Sequence, residues 1–362
     1  MSNDTHENKL SKITPKISLS LEFKGKTILD KKTADALLVI QKSGSLLAAS
    51  KVTGIPYSRL WDRINKIERI LGTEIVERRR GGQRGGGTFL TSFGKALLKL
   101  YLEYIETLNI PSDFKIVSNR SRLPDFVFMG SHDPILEQLI LQYKKQSRYS
   151  FDICWTGSSL GLLSLSLGDA DIAGSHILDP QTGKYNLHIL SKYELSEACR
   201  VIRGFQREIG IIYHPAYDIH SLEDAVIKNL RMVNRNPGSG TRILIDLLLK
   251  ELADKTKTSF DLLRTKIKGY GFEVKTHYDV AKAIATRKAD FGFSIKYIAQ
   301  KYDLNFIPIR WEWYDFIILK KSWEKQSVQE FLSFILDKNN LKLINKISGY
   351  RTTEECGKIV YE

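Results

Sequence analysis

Cysteine is scarce in this sequence: three residues, Cys154, Cys199 and Cys356, odd in number, far apart and without any C-x-x-C spacing. That gives neither a disulfide framework nor a zinc site, and ordinary buried thiols are the expectation. Long apolar runs are missing too. Nothing approaches the roughly 18 residues of a membrane span, and the first twenty residues are polar with no apolar h-region. The expectation is a cytoplasmic protein with no membrane partner. The seven histidines do not group at metal-ligand spacing, and no G-x-S-x-G elbow, H-E-x-x-H, Walker A or full dinucleotide fingerprint occurs. No catalytic residue, metal or cofactor is therefore expected.

What is present is a globular chain of 362 residues with 42% hydrophobic and 10% aromatic side chains, long enough for two or three folding units. The net charge of +14 is unevenly placed: residues 1–122 hold 22 Lys and Arg against 12 Asp and Glu, and the remainder holds 33 against 29. A basic excess confined to one third of the chain is the footprint of a nucleic-acid-binding module, although a basic surface without a partner gives the same count.

That basic third reads as a winged helix-turn-helix, an α+β fold, over residues 25–108, behind a polar tail at 1–24. Residues 33–43 put Ala34, Leu37, Leu38 and Ile40 on one side of a helix ended by Gly44. Ser45 is placed to cap a second, two-turn helix that Gly54 stops. Pro56 stands at the first position of a third, with Leu60, Ile64, Ile67 and Leu71 as its buried stripe and a mostly basic opposite face. On that face hydroxyls and cations suit base edges and phosphates, and a solvated amphipathic helix is the alternative for the segment taken alone. Short strands at 74–78 and 88–90 flank R-R-G-G-Q-R-G-G-G, a wing tip whose arginines can meet a phosphate backbone. A linker helix at 91–108, capped by Thr91 or Ser92, is apolar on more than one face. One face can pair with a second copy, giving a homodimer or higher homo-oligomer on double-stranded DNA.

The run from Ala48 to Gly94, with A-A-S-K-V-T-G-I-P-Y-S-R-L-W-D-R-I-N, then L-G-T-E-I-V-E-R and L-T-S-F-G, resembles the DNA-binding domain of the molybdate-responsive ModE regulators, relatives of the LysR-type domain. The resemblance covers about a quarter of the chain. It implies that Tyr57, Ser58, Arg59 and Arg63 fall on the DNA-reading helix and Arg79, Arg80 and Arg84 on the wing; the helical spacing adds Lys66 to the same exposed basic face. Trp61 fits the pattern equally well as a core residue.

Residues 109–124 form a polar linker. Beyond it, over 125–325, short apolar strands alternate with amphipathic helices, the pattern of an α/β domain with largely parallel sheets and ligands at the strand C-terminal ends. Three strand-to-helix junctions carry small hydroxylated residues that can surround an anion at a helix N-terminus: Ser131 with His132, Thr156 with Ser158, and Ser239-Gly240-Thr241-Arg242. Taken singly, each also reads as an ordinary cap. At the third, Arg235 and Arg242 add full charges.

This region resembles the two-lobed, type II periplasmic-binding-protein-like domains, carried by V-N-R-N-P-G-S-G-T-R-I-L-I-D-L-L-L at 233–249, G-D-A-D-I-A-G-S-H-I at 168–177 and R-K-A-D-F-G-F-S at 287–294. The likeness implies two lobes closing on a small anionic effector, with the last two runs as strands returning through the hinge. ModE sensing domains are small β-barrels, so molybdate is not carried over with the DNA-binding half. His132, Asp133 and His176 also depart from an all-hydroxyl cradle, and a larger organic anion stands beside a molybdate- or tungstate-like oxyanion. Residues 326–362 read as a C-terminal helix and tail. The sequence is thus read as a ligand-sensing transcription regulator. An anion-binding or storage protein, or an enzyme acting on a bound anion, are the alternatives.

Overall fold

The computed structural model describes residues 18–79, 87–110 and 124–362. They form two compact units, one up to residue 110 and one from 124 onward; the linker at 111–123 lies outside the described residues.

The first unit opens with an antiparallel hairpin, β1 (Ser20–Phe23) and β2 (Lys26–Asp30). The expected polar tail at 1–24 therefore ends early: Leu21 pairs with Leu29, which is wholly buried, so the strand is anchored by its partner rather than by its own composition. Helix α1 (Lys31–Ser43) starts where the Asp30 carboxylate accepts the Thr33 N–H and stops at Gly44, whose φ of 67° lies in the left-handed region. Helix α2 (Leu46–Thr53) is capped by Ser45 and ends at Gly54. Pro56 is the N-cap of α3 (Tyr57–Leu71) rather than its first helical residue: its ψ of 138° is extended, and its carbonyl accepts the Leu60 N–H. A short antiparallel pair, β3 (Val76–Arg79) and β4 (Gly87–Leu90), carries the wing, and α4 (Ser92–Thr107) follows, capped by Thr91. Leu37, Ile40, Leu60, Ile64 and Tyr101 fill the core.

The second unit is a curled mixed sheet flanked by helices. Its strands are β5 (Phe126–Gly130), β6 (Phe151–Trp155), β7 (Ile172–Ser175), β8 (Cys199–Tyr213), β9 (Met232–Arg235), β10 (Glu273–Val274), β11 (Phe291–Ile295) and β12 (Asn305–Leu319). The order across the sheet is β10-β9-β11-β8-β12-β7-β5-β6. At one end β5 pairs in parallel with β6 and β7, and at the other β9 pairs in parallel with β10 and β11. Between the two groups run β8 and β12, two 15-residue antiparallel strands paired from Asn305 with Tyr213 to Leu319 with Cys199. One end of this ribbon borders β7 and the other borders β11, so it belongs to both lobes.

The hinge crossing therefore lies in β8 and β12. The runs at 168–177 and 287–294, expected to return through it, supply the strands beside it. Arginines and acidic residues interrupt the apolar alternation of the true crossing strands and disguise them as surface segments. The helices relevant to the site are α5 (Pro134–Gln146), α6 (Ser158–Leu167), α7 (Gly240–Lys255) and α8 (His277–Ala285).

Residues 326–362 are integral to this unit rather than a separate tail. Helix α9 (Gln326–Ile335) buries Val328, Phe331, Leu332 and Ile335 in the main core. After α10 (Lys338–Asn345), strands β13 (Tyr350–Arg351) and β14 (Ile359–Tyr361) pair with β8. No helix among the described residues is long and apolar enough to cross a membrane.

Candidate functional site

In the first unit the amphipathic spacing of α3 sorts its side chains. Leu60, Ile64 and Ile67 face inward, while Arg59, Asp62, Arg63, Lys66 and Arg69 are exposed. Ser58 is half-buried at the front of the helix, and Tyr57 is only 4% exposed, so its ring packs in the core instead of standing on the reading face. Arg63 reaches Asp30 at 3.2 Å and the Thr33 hydroxyl at 3.2 Å. Both carboxylate and guanidinium are half open to solvent, where such a pair contributes little and yields readily to a phosphate.

Trp61 lies under the Arg78 guanidinium, whose carbon is 4.7 Å from the ring centroid, and Arg78 also donates to Asn65 and Glu68. That set braces β3 against α3. Arg79, at the root of the wing, pairs with Glu77 and covers Phe89. Arg80 and Arg84 lie outside the described residues.

In the second unit, buried polar groups converge where β8 and β12 cross between the lobes. Arg207 of β8 is fully buried; its Nε donates to Glu312 at 2.7 Å and its Nη1 to Asp133 at 2.9 Å. Burial works against its charge, but these two carboxylates outweigh it and raise its pKa. Glu312, on β12, is pushed upward by burial and more strongly downward by its contact with His176 and by the Arg207 cation, to about 2. Its second oxygen accepts from His176 Nδ1 at 3.1 Å, and His176 Nε2 lies 2.8 Å from the Ser131 hydroxyl. Asp133 also accepts from Tyr350 at 2.8 Å, tying the cluster to the C-terminal segment. Tyr314 donates to the Ser131 carbonyl.

Arg235, at the end of β9, is 2% exposed and differs in kind from Arg207. Its Nη2 donates to the Lys275 carbonyl, while Nε and Nη1 are buried without a partner, and no carboxylate among the described residues lies within ion-pair distance. Burial, then the neighbouring Arg207 cation, lowers its pKa to about 10. Arg207 Nη2, His132 Nδ1, His277 Nε2 and Thr241 Oγ1 are likewise buried and unpartnered. Burial, followed for His277 by the two arginines, keeps His132, His176 and His277 neutral. A buried polar group without a protein partner costs free energy unless something else satisfies it.

The three expected junctions do meet here, with unequal roles. Ser131 and His132 are buried in the cluster. The N-terminus of α5 is closed by Asp133, which accepts from Ile135 and Leu136, so it offers no open cradle. Thr156 is half-buried, its hydroxyl near the Gly157 carbonyl, and Ser158 Oγ lies 3.4 Å from the His176 N–H. Ser239 caps α7, and Thr241 presents its free hydroxyl. Arg242 is already engaged, with Asp246 at 3.0 Å, Glu273 at 2.8 Å and the Arg235 carbonyl at 2.9 Å. Its charge is neutralised locally and its contact with the cluster is through the Arg235 backbone; Arg235 is the uncompensated cation. The lobes touch here as well: Ser159 N–H donates to the Gly238 carbonyl, and a Cβ on Gly240 would stand 2.6 Å from the His176 ring.

Residues 141–336, more than half of the chain, match the PBP superfamily domain. The chain belongs to the PBP superfamily. Its N-terminal region is similar to ModE regulators: the Escherichia coli K12 DNA-binding transcriptional dual regulator ModE is 38% identical over 85 residues, 24% of this chain and 32% of ModE. YvgK of Bacillus subtilis is 29% identical over 211 residues, 58% of this chain and 65% of YvgK. The chain thus spans under two thirds of each relative. An ABC-type phosphate transport receptor from Vibrio cholerae aligns with 63% of this chain and 99% of its own, at 17% identity and a TM-score of 0.43.

Sequence reasoning noticed Arg235, Asp133 and His176 but did not identify Arg207, His277, Glu312, Tyr314 or Tyr350. The available signal was a charge inside an apolar alternating run, as in F-Q-R-E-I-G-I-I and W-E-W-Y-D-F-I-I.

Proposed function

We propose that this PBP-superfamily protein is a DNA-binding transcription regulator whose second unit binds a small anionic effector. The observation that carries the reading is the pairing, in one chain, of an exposed cationic face on α3 with a buried guanidinium that has no counter-charge. Arg59, Arg63, Lys66 and Arg69 would hold phosphates while Ser58 meets base edges, and Arg79, with Arg80 and Arg84, would follow the backbone from the wing. An anion completing Arg235 bridges groups from both lobes and favours the closed form, a coupling typically of about 1 to 3 kcal/mol. The exposed Phe93, Leu100 and Tyr104 on α4, with Leu108 at its C-cap, leave an apolar stripe, and a homodimer through it would present two α3 helices to one duplex.

The test is duplex binding followed by fluorescence anisotropy across a salt series. Binding should weaken with a slope near 0.9 per phosphate neutralised, and Arg59→Ala/Arg63→Ala should lower that slope by about 2. Failure of the parent protein to bind duplex DNA at low salt would refute the regulator reading.

A further inference from the structure

Resting on the anion-binding reading, we infer that the effector carries hydrogen-bond donors of its own, as hydrogen phosphate, a hydroxyl-bearing phosphate ester or a hydroxylated organic acid does, and is not a fully deprotonated tetrahedral oxyanion. The argument is an assignment of protons. A carboxylate only accepts, so the nitrogen that faces it must carry the hydrogen. His176 Nδ1 faces Glu312, which places the proton on Nδ1 and leaves Nε2 as a bare lone pair. The Ser131 hydroxyl, 2.8 Å away, must then spend its only hydrogen on Nε2, and its oxygen keeps lone pairs alone.

His132 follows the same logic. Its Nε2 lies 3.3 Å from Glu137 and carries the proton, so the unpartnered, buried Nδ1 is an acceptor. The ring is held edge-on against Trp155 and Tyr278, with centroids 5.1 and 5.8 Å apart, and its carbonyl accepts from Arg207 Nη1. These contacts brace the ring, and the Arg235 cation is near enough to act on its charge. The cluster therefore offers donors at Arg235 Nε and Nη1 and Arg207 Nη2 and lone pairs at His132 Nδ1 and Ser131 Oγ, while His277 Nε2 and the Thr241 hydroxyl can serve either side.

An anion without hydrogens satisfies only the first set and sets its own lone pairs against the second. A buried acceptor left unpaired costs about 1 to 3 kcal/mol. An anion bearing one O–H places its charged oxygens on the guanidinia and its hydrogen on His132 Nδ1, completing both sets. The chemistry is shared by inorganic hydrogen phosphate and by organic anions, and the probes below separate them.

Calorimetric titration of the full chain at roughly pH 8 compares sulfate, molybdate and tungstate, which have no O–H there, with hydrogen phosphate, which keeps one on its phosphorus, and with glycerol 3-phosphate and citrate, whose donors are alcohol hydroxyls. At least one donor-bearing probe should bind about tenfold or more tighter than any of the first three. His132→Phe, which keeps the ring packing and the carbonyl but removes the acceptor, should shrink that gap to about threefold or less. If molybdate, tungstate or sulfate binds the parent as tightly as the donor-bearing probes, or the gap survives in His132→Phe, the inference falls and anion sensing stands. Silence toward all six probes would overturn both.

Discussion

Arg235→Met should make the protein more stable and deaf to anions at once. Holding a buried guanidinium down at about 10 against the ordinary value of an arginine corresponds to about 3 kcal/mol of unfavourable free energy in the charged form. The sign follows from linkage: a base whose folded pKa is lowered is charged in both states at neutral pH, and its charge is dearer in the folded one. Methionine retains an unbranched stem and removes the charge, while the Lys275 carbonyl loses its donor, costing about 1 kcal/mol. The net expectation is a gain of about 2 kcal/mol, read by urea denaturation of the full chain without anion. A bound effector at a hundred times its dissociation constant should stabilise the parent by about 2.7 kcal/mol and leave the variant unmoved. A variant less stable than the parent in anion-free buffer would show that Arg235 holds the fold together, and the argument from an uncompensated charge would be wrong.

Burial lowers the pKa values of His132, His176 and His277, so the unfolded chain takes up protons below about pH 6.5 before the folded one does. Stability should therefore fall as pH drops from 7.5 to 5.5, at up to roughly 4 kcal/mol per pH unit with all three engaged, and His277→Gln should make the decline shallower by one proton. A flat denaturation midpoint over that range would contradict the buried neutral state. Gly240→Ala sets a methyl group against the His176 ring and its carbonyl, at 2.6 and 2.7 Å. It should weaken anion binding by about tenfold or more while circular dichroism remains that of the parent, because the lobes then cannot close fully; unchanged affinity would place the ligand away from this contact.

Local signals were legible where the chain obeys local rules. Ser45, Gly44, Gly54 and the Leu60-Ile64-Ile67 stripe marked the helix-turn-helix because caps, left-handed glycines and helical spacing act within a few residues. The strand-to-helix junctions were legible for the same reason. The N-terminal hairpin was not, since β1 has no strong alternation and is held by β2. Arg242 reads in the sequence, beside Arg235, as a charge for the anion because it stands in a conspicuous glycine-hydroxyl motif, yet Asp246 one turn later and Glu273 of β10 take up its charge.

Charge distribution, turn chemistry and apolar periodicity thus determined from the sequence alone that a basic helical unit precedes an alternating α/β one, because each of these properties depends on neighbours along the chain. Only the tertiary structure decided which arginine is paired and which is not. Arg207, Asp133 and Glu312 come from three strands and junctions separated by up to 179 positions, and pairing across such distances depends on how β8 and β12 cross. A guanidinium acquires its partner, or fails to, only when burial has removed water and fixed what faces it.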